Sequence, residues 1–317
     1  MTTAQESLTL LAPAKINLFL EVGAKRPDGY HSIRSVVAPV SLCDEIILER
    51  TDGDIEARIL DSSELPACNG DHMPESDANL ATRAARLLKE ATRCCWGARI
   101  GIRKRIPLGG GLGGGSADAA VTFLGLNRLW GTGLSEEALR ELAARLGCDI
   151  PALILGRLVL IEGKGERITP LRFATGLGTR EWWLVLVNPG FCVPTRDVYA
   201  RYQSVLTFAP ETLMRMTLAL ERGDVELAAG GLFNALQTTV FAKYPLLEIL
   251  AADLSAAGAL GVLLSGSGAS VFALTRDRQH AEAVAGRVTA VHGPWLWCRV
   301  VRMLPDGVTG STQPFGG

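Results

Sequence analysis

Four short stretches of this chain carry residue types that can do chemistry together. Residues 107–120 read P-L-G-G-G-L-G-G-G-S-A-D-A-A, six glycines directly ahead of a helix-forming run. Without a Cβ, glycine reaches positive φ and brings the main chain close to a ligand, so successive N–H groups can converge on an anion at a helix N-terminus. A nucleotide's phosphate chain fits such a cradle. Residues 13–20, P-A-K-I-N-L-F-L, set the ammonium of Lys15 and the amide of Asn17 inside otherwise apolar sequence. An unpaired buried ammonium is costly, so Lys15 either meets a carboxylate or a ligand phosphate, or snorkels from an edge strand to water. In residues 147–151, G-C-D-I-P, Asp149 lies between a helix end and a proline that can open the next helix; alone, it reads as a turn or cap residue before it reads as a catalyst. Residues 264–270, L-S-G-S-G-A-S, place small hydroxylated residues and glycines between two apolar runs, which suits either a plain hairpin turn or a close backbone approach to a ligand.

The glycines also satisfy G-x-G-x-x-G, the pattern of dinucleotide-binding folds. That pattern belongs at the end of the first strand of a βαβ unit, with an acidic ribose ligand about twenty residues later. Here it stands past residue 100, and Glu136 and Glu137 look like first-turn acids of a helix. A dinucleotide-dependent oxidoreductase is therefore the weaker reading. The Walker pattern G-x-x-x-x-G-K-[ST] is absent and no lysine follows these glycines, so positive charge for a phosphate chain must come from elsewhere. A flexible linker would be bordered by polar sequence, whereas strand and helix patterns flank this loop at 100–102 and 121–129.

Such groups need rigid elements to hold them. Helical patterns run over 79–90, 117–130 and 135–146, and strand patterns over 16–22, 45–49 and 98–106. The helix at Ser135 has a hydroxyl at its cap, Glu136 and Glu137 in its first turn and Gly147 just past its end, which puts 148–151 in a tight turn. After a strand near 158–162, the glycine-rich and polar stretch 163–179 marks a domain boundary. A strong strand at 182–187 opens the second unit, followed by helices near 210–221 and 246–257, a hairpin around the S-G-S-G turn and a last strand near 295–301. The expected units are residues 1–170 and 171–317.

With 317 residues, 48% hydrophobic and 21% charged, the chain can bury a substantial core. Its 32 basic and 33 acidic residues leave a net charge of −1 and no polycationic face, so no nucleic-acid partner is expected. Seven cysteines, an odd number with Cys94-Cys95 as the one close pair, suit a reduced, cytoplasmic interior. His31, His72, His280 and His292 are scattered without paired ligand spacing, so protein-bound zinc is not expected. Residues 1–11 lack a basic leader, so no export is expected. Residues 256–274 are uncharged and approach membrane-spanning length, but Gly258, Gly261, Gly266 and Gly268 with Ser265, Ser267 and Ser270 break them into strand, loop and strand, so no membrane partner is expected either.

Taken in order, the four stretches resemble the GHMP kinases, small-molecule kinases that bind ATP through a glycine-rich loop. The resemblance rests on P-x-x-x-G-L-G-G-G-S at 107–116 and on the S-G-S-G turn. Within the family, P-A-K-I-N-L-F-L followed by Arg26-Pro27-Asp28-Gly29-Tyr30-His31, Asn79-Leu80, Lys104-Arg105-Ile106-Pro107, G-C-D-I-P and Gly163-Lys164-Gly165-Glu166 look like the branch that acts on a cytidine diphosphate-linked methylerythritol, in the non-mevalonate route to isoprenoid precursors. Another GHMP kinase of the mevalonate or homoserine type would share the glycine loop but lack the D-G-Y-H segment.

The resemblance implies an α+β, two-domain fold: an N-terminal domain like ribosomal protein S5 and a ferredoxin-like C-terminal domain, with the active site between them. It implies ATP and Mg2+ as cofactors and a small-molecule alcohol as phosphoryl acceptor, in a monomer or homodimer. The family's catalytic pair falls on Lys15 and Asp149, the aspartate accepting the hydroxyl proton and the lysine orienting that carboxylate. The nucleotide loop falls on Pro107, Gly109, Gly110, Gly111, Leu112, Gly113, Gly114, Gly115 and Ser116, with Ser267 and Gly268 on the second turn. Asn79 and Lys104 are candidates for adenine contact; they read equally as a helix cap and a solvated strand lysine. Asn17, Tyr30, His31 and Tyr199 are assigned to the substrate, the last three to its cytosine. The metal ligands stay unassigned, since Asp118 reads as a first-turn acid of its helix. Ala117, Cys148 and Ala152-Leu153 depart from the common pattern, and the hydroxyl missing at 117 bears on nucleotide affinity.

Overall fold

The computed structural model describes residues 7–66, 78–174, 181–202 and 210–307. Two long strands open it, β1 (Ser7–Lys25) and β2 (His31–Thr51), paired antiparallel. They are followed by β3 (Ile55–Asp61), α1 (Leu80–Thr92), β4 (Gly97–Arg103), α2 (Gly114–Leu129), α3 (Glu136–Ala143), α4 (Ile150–Leu155), β5 (Val159–Gly163) and β6 (Arg167–Pro170). The second half contains β7 (Trp183–Asn188), α5 (Thr195–Arg201), α6 (Pro210–Arg222), α7 (Val225–Ala229), β8 (Phe233–Asn234), α8 (Gln237–Lys243), α9 (Pro245–Ala256), β9 (Gly261–Leu264), β10 (Val271–Thr275), α10 (Arg278–His292) and β11 (Trp297–Arg302).

These strands build two sheets. The first runs β3-β4-β2-β1-β8, with β5 also pairing β2 and β6 pairing β5; the second is antiparallel, β11-β7-β10-β9. The halves interlock, because β8 lies parallel to β1 (Phe19 opposite Phe233) and Val40 bridges Met303. On the first sheet Ala81, Ala84, Ala85 and Leu88 of α1 and Ala117, Ala120, Phe123 and Leu126 of α2 pack against Ile46, Leu48, Ile100 and Ile102. Small alanines let both helices sit close, and burying large aliphatic side chains there is worth roughly 1.5–3 kcal/mol each.

Strands as long as β1 and β2 cannot stay flat, and their pairing slips between Pro13 and Lys15, between Asn17 and Phe19 and between Val22 and Lys25. At the first slip Lys15 stands opposite Pro39, whose carbonyl accepts the Leu304 N–H at 2.8 Å. The Lys15 N–H turns instead to the carbonyl of Leu112, 2.9 Å away in the glycine loop.

Several elements differ from their sequence-based bounds. α2 starts at Gly114 rather than 117, because the last glycines of the loop form its first turn. Glycine's poor helix propensity hides them from any periodicity count. β1 and β2 reach well beyond 16–22 and 45–49, and α5, α7, α8 and α10 had no clear pattern. The uncharged stretch 256–274 is the end of α9, a turn and the β9–β10 hairpin, and among the described residues no helix is long and apolar enough to cross a membrane.

Candidate active site

A cavity of about 550 Å³ opens where the glycine loop meets β1, the start of α1, the turn before α4 and the S-G-S-G turn. The loop is held from behind by its carbonyls. That of Leu108 accepts from the Cys192 thiol (3.1 Å), Gly109 from the Val193 N–H (3.3 Å), Gly110 from the Ser270 N–H (3.0 Å), Gly111 from the Ser265 hydroxyl (3.1 Å) and Leu112 from the Lys15 N–H (2.9 Å). Across a trans peptide the following N–H points the opposite way, so five tethered carbonyls leave the amides on the other side. There Gly109, Gly110, Gly111, Gly113, Gly114, Gly115 and Ser116 line the cavity with Pro107. Gly111 has no alternative: its φ is +74° and a Cβ would lie 2.0 Å from the Ser265 carbonyl oxygen. Backbone amides and the N-terminus of α2 together make an anion site. Leu112 and Gly268 lie off the wall, Leu112 buried behind it and Gly268 donating its N–H to the Ser265 carbonyl within the second turn.

Beside the loop Lys15 Nζ donates to Asn17 Oδ1 at 2.8 Å and stands 3.6 Å from Asp149 Oδ2. Lys15 and Asn17 are almost completely buried, while the Asp149 side chain is 46% exposed and faces the cavity. Asp149 stands in a turn at the cap position of α4, as its sequence suggested, but its carboxylate makes no capping hydrogen bond and is left to the cavity. Lys15 does not snorkel; its charge is spent on Asn17, on Asp149 and on whatever enters the cavity.

Lys104 is not the solvated lysine its neighbours suggested. Only 2% exposed, it bridges the carboxylates of Asp44 and Asp118, its Nζ 2.8 Å from Asp118 Oδ2. Asp44 Oδ1 also accepts the N–H groups of Arg105 (2.6 Å) and Ile106 (2.9 Å), fixing the chain just before Pro107. Asp118 is thus no dipole acid at the surface: it is buried, and its Oδ1 finds no partner among the described residues. Burial, with the charge of Asp44 added, pushes its carboxyl up to about 7 against the pull of Lys104. Burial works against the Lys104 charge, and the two carboxylates still hold its pKa above that of an ordinary lysine. Asn79 does cap α1, its Oδ1 accepting the Ala81 N–H at 2.8 Å, yet its buried Nδ2 has no partner among the described residues; Asn79 and Lys104 both line the cavity.

At the other end Tyr199 lies on the wall; burial first, and then the negative charge of Asp149, push its phenol well above the ordinary range. His31 packs on it at 5.7 Å between ring centres and takes the Gly23 carbonyl on Nδ1 at 2.9 Å. Tyr30 does not oppose Tyr199 across the wall: it is 56% exposed, with Lys164 Nζ 5.9 Å from its ring centre. Ser267 is on the wall, its hydroxyl 2.8 Å from that of Thr195.

The family model described as GHMP kinases N terminal domain matches residues 79–157, and the model for the GHMP kinases C terminal domain matches 216–292. The 4-diphosphocytidyl-2-C-methyl-D-erythritol kinase of Symbiobacterium thermophilum is 43% identical over 87% of this chain and 93% of its own. The protein of that name from Pelotomaculum thermopropionicum is 40% identical over 88% and 93%. The chain belongs to the GHMP kinases. A crystal structure of 4-(cytidine 5'-diphospho)-2C-methyl-D-erythritol kinase superposes on this GHMP kinase with a TM-score of 0.73 at 34% identity, covering 93% of this chain and 98% of that one. A homoserine kinase from Cytophaga hutchinsonii shares the fold at a TM-score of 0.71 with 18% identity.

The chain is thus an ATP-dependent small-molecule kinase with the two-domain GHMP fold. Thr195, Gly266, Asp44 and Ser35 belong to its site or support it, and single-sequence reading passed over them. Gly266 and Thr195 carried a signal, the first within S-G-S-G and the second within Pro194-Thr195. Asp44 and Ser35 gave none, since their partners stand far away in the chain.

Proposed function

We propose that this chain transfers the γ-phosphoryl group of ATP to a hydroxyl on the methylerythritol part of 4-diphosphocytidyl-2-C-methyl-D-erythritol. The observation that carries the reading is the Lys15–Asp149 pair, 3.6 Å apart and on the same cavity wall as the amides of the glycine loop. Asp149 accepts the proton of the attacking hydroxyl; it is exposed enough to reach one and is tied down by no cap. Lys15, with hydrogens beyond those it gives to Asn17 and Asp149, holds the carboxylate in place and faces the charge that builds up during transfer. The tethered amides of residues 109–116 and the N-terminus of α2 hold the phosphate chain, and the orphaned Nδ2 of Asn79 supplies a donor for the adenine, next to Lys104.

Magnesium needs few protein ligands when phosphates and water fill its shell. Ser116 fits that role from the cavity wall, and Asp118, committed to Lys104, does not. When bound, Mg-ATP supplies the phosphoryl group and neutralises part of its charge. For the cytidine end, His31 commits Nδ1–H to the Gly23 carbonyl, which leaves Nε2 as an acceptor for an exocyclic amine. Tyr199 on the cavity lining and the exposed ring of Tyr30 offer stacking faces.

The test incubates the protein with Mg-ATP and 4-diphosphocytidyl-2-C-methyl-D-erythritol, with mevalonate and homoserine as comparators, following ADP and phosphorylated product. Turnover of the cytidine-linked alcohol alone, with a loss of at least about a hundredfold in Asp149→Asn, is the expected result. Turnover of mevalonate or homoserine instead would overturn the substrate assignment and leave the kinase fold standing.

A further inference from the structure

Behind Lys15 runs a line of buried hydrogen bonds that ends on the backbone of β1. Lys15 Nζ donates to Asn17 Oδ1 (2.8 Å), Asn17 Nδ2 donates to Ser35 Oγ (2.8 Å), and the Ser35 hydroxyl donates to the carbonyl of Phe19 (2.7 Å). The direction of every bond is forced. A carbonyl only accepts, so the single hydrogen of Ser35 is committed to Phe19 and its oxygen must accept from the Asn17 amide. An ammonium only donates, so the other end of the Asn17 amide must be oxygen. The side chain is therefore held in one of its two flip states from both ends.

The slip between Asn17 and Phe19 makes room for this arrangement. Ser35 itself lies on β2 with β1 on one side and β5 on the other, paired with Leu20 and Ile161, so its backbone is held on both edges. A Cβ at Gly266 would lie 3.3 Å from Asn17 Oδ1 and 3.4 Å from Lys15 Nζ, which closes a further side of the amide.

We propose that Ser35 is a positioning residue for phosphoryl transfer, acting through Asn17 to hold the Lys15 ammonium against Asp149. The inference rests on the reading of Lys15 and Asp149 as the catalytic pair. Removing the Ser35 hydroxyl strands Asn17 Nδ2 in a buried place and frees the amide to turn. Lys15 then loses a fixed acceptor while the glycine loop that faces the nucleotide keeps every group it has. The consequence falls on kcat and spares the KM for ATP.

The experiment compares Ser35→Ala, Ser35→Thr, Asn17→Ala and the Ser35→Ala/Asn17→Ala double variant in steady-state kinetics, with thermal unfolding of each. Ser35→Ala is expected to lower kcat about tenfold with the KM for ATP within about twofold, as loss of one buried hydrogen bond implies, and Ser35→Thr to recover to within about threefold of wild type. On the Asn17→Ala background, Ser35→Ala is expected to cost nothing more, because its only route to the site is gone. If Ser35→Ala does not fold, Ser35→Cys, similar in volume with a weaker hydrogen bond, gives the same comparison. A wild-type kcat in Ser35→Ala, or a loss that adds in full to that of Asn17→Ala, overturns the inference. Lys15→Met separates the two levels. A Lys15→Met enzyme with wild-type kcat overturns the catalytic pair itself, whereas an inactive Lys15→Met beside an unaffected Ser35→Ala overturns the Ser35 role alone.

Discussion

Gly113 presses its Cα against the stem of Lys15: a Cβ there would lie 2.9 Å from the lysine Cγ and 3.1 Å from its Cε. Gly113 is also the cap residue of α2, in the left-handed region at φ +70°. The entry of the nucleotide-binding helix and the aliphatic part of the candidate catalytic lysine therefore share one surface. Neither can move without the other, and this contact brings the phosphate cradle and the acid–base pair to a fixed separation.

Gly113→Ala is accordingly expected to remove activity out of proportion to its effect on stability. Positive φ in alanine costs about 1–2 kcal/mol, and displacing the Lys15 stem is expected to lower kcat at least about a hundredfold. Gly131→Ala is the control, since Gly131 has φ +64° with nothing within 4 Å of its added Cβ. It should lose similar stability in denaturant unfolding and keep its kinase activity. Equal activity in the two variants would show that the Lys15 contact is unimportant.

Asn79 does two jobs that substitution can separate. Serine keeps the cap on α1 but lacks the unpartnered Nδ2; alanine loses both. Asn79→Ser is expected to unfold like wild type while its KM for ATP rises about five- to tenfold, the worth of one hydrogen bond. Asn79→Ala should show the same KM change and lose about 1 kcal/mol of stability as well. An unchanged KM for ATP in both variants would leave Asn79 a cap and nothing more.

Tyr199 is partly buried, packs on His31 and lines the cavity, and under the proposed function its ring rather than its hydroxyl meets the cytosine. Tyr199→Phe should leave the KM for the cytidine-linked alcohol within about twofold, and Tyr199→Ala should raise it at least about tenfold, in line with stacking worth about 1–3 kcal/mol per base. The KM for ATP should stay unchanged in both. A shift in the ATP value would move Tyr199 to the nucleotide side of the cavity.

The sequence made legible whatever depends on neighbours in the chain. The glycine loop, the cap at Ser135, the turn around Asp149 and the β9–β10 hairpin all announce themselves within a few residues, and each stands near its expected place. Lys15 was legible as a charge out of place in an apolar strand. The solvated alternative for Lys104 failed because its flanking arginines, Arg103 and Arg105, pair with surface carboxylates while the lysine between them, just past the end of β4, turns inward. Its partners Asp44 and Asp118 arrive from β2 and α2, and no local pattern links three residues that only the folded sheet brings together. The same holds for Ser35, whose value lies entirely in a slip of the β1–β2 ladder.

That buried trio sets a pH signature. In the folded chain burial raises the Asp118 carboxyl from 3.8 to about 7, so between those values the folded state keeps a proton that the unfolded chain has released. The contribution of this group to stability then falls as pH rises from about 4 to about 7, and above that range it adds no further slope. Asp118→Asn, which cannot ionise, is expected to remove that falling contribution, read as a difference in slope from wild type over that range in urea titrations. Asp44→Ala is expected to be far worse, because it strands Lys104 beside a single carboxylate and orphans the amides of Arg105 and Ile106, a loss on the order of 3–5 kcal/mol. If Asp118→Asn keeps the slope of the wild type, the proton resides elsewhere and the trio carries its charges in a different distribution.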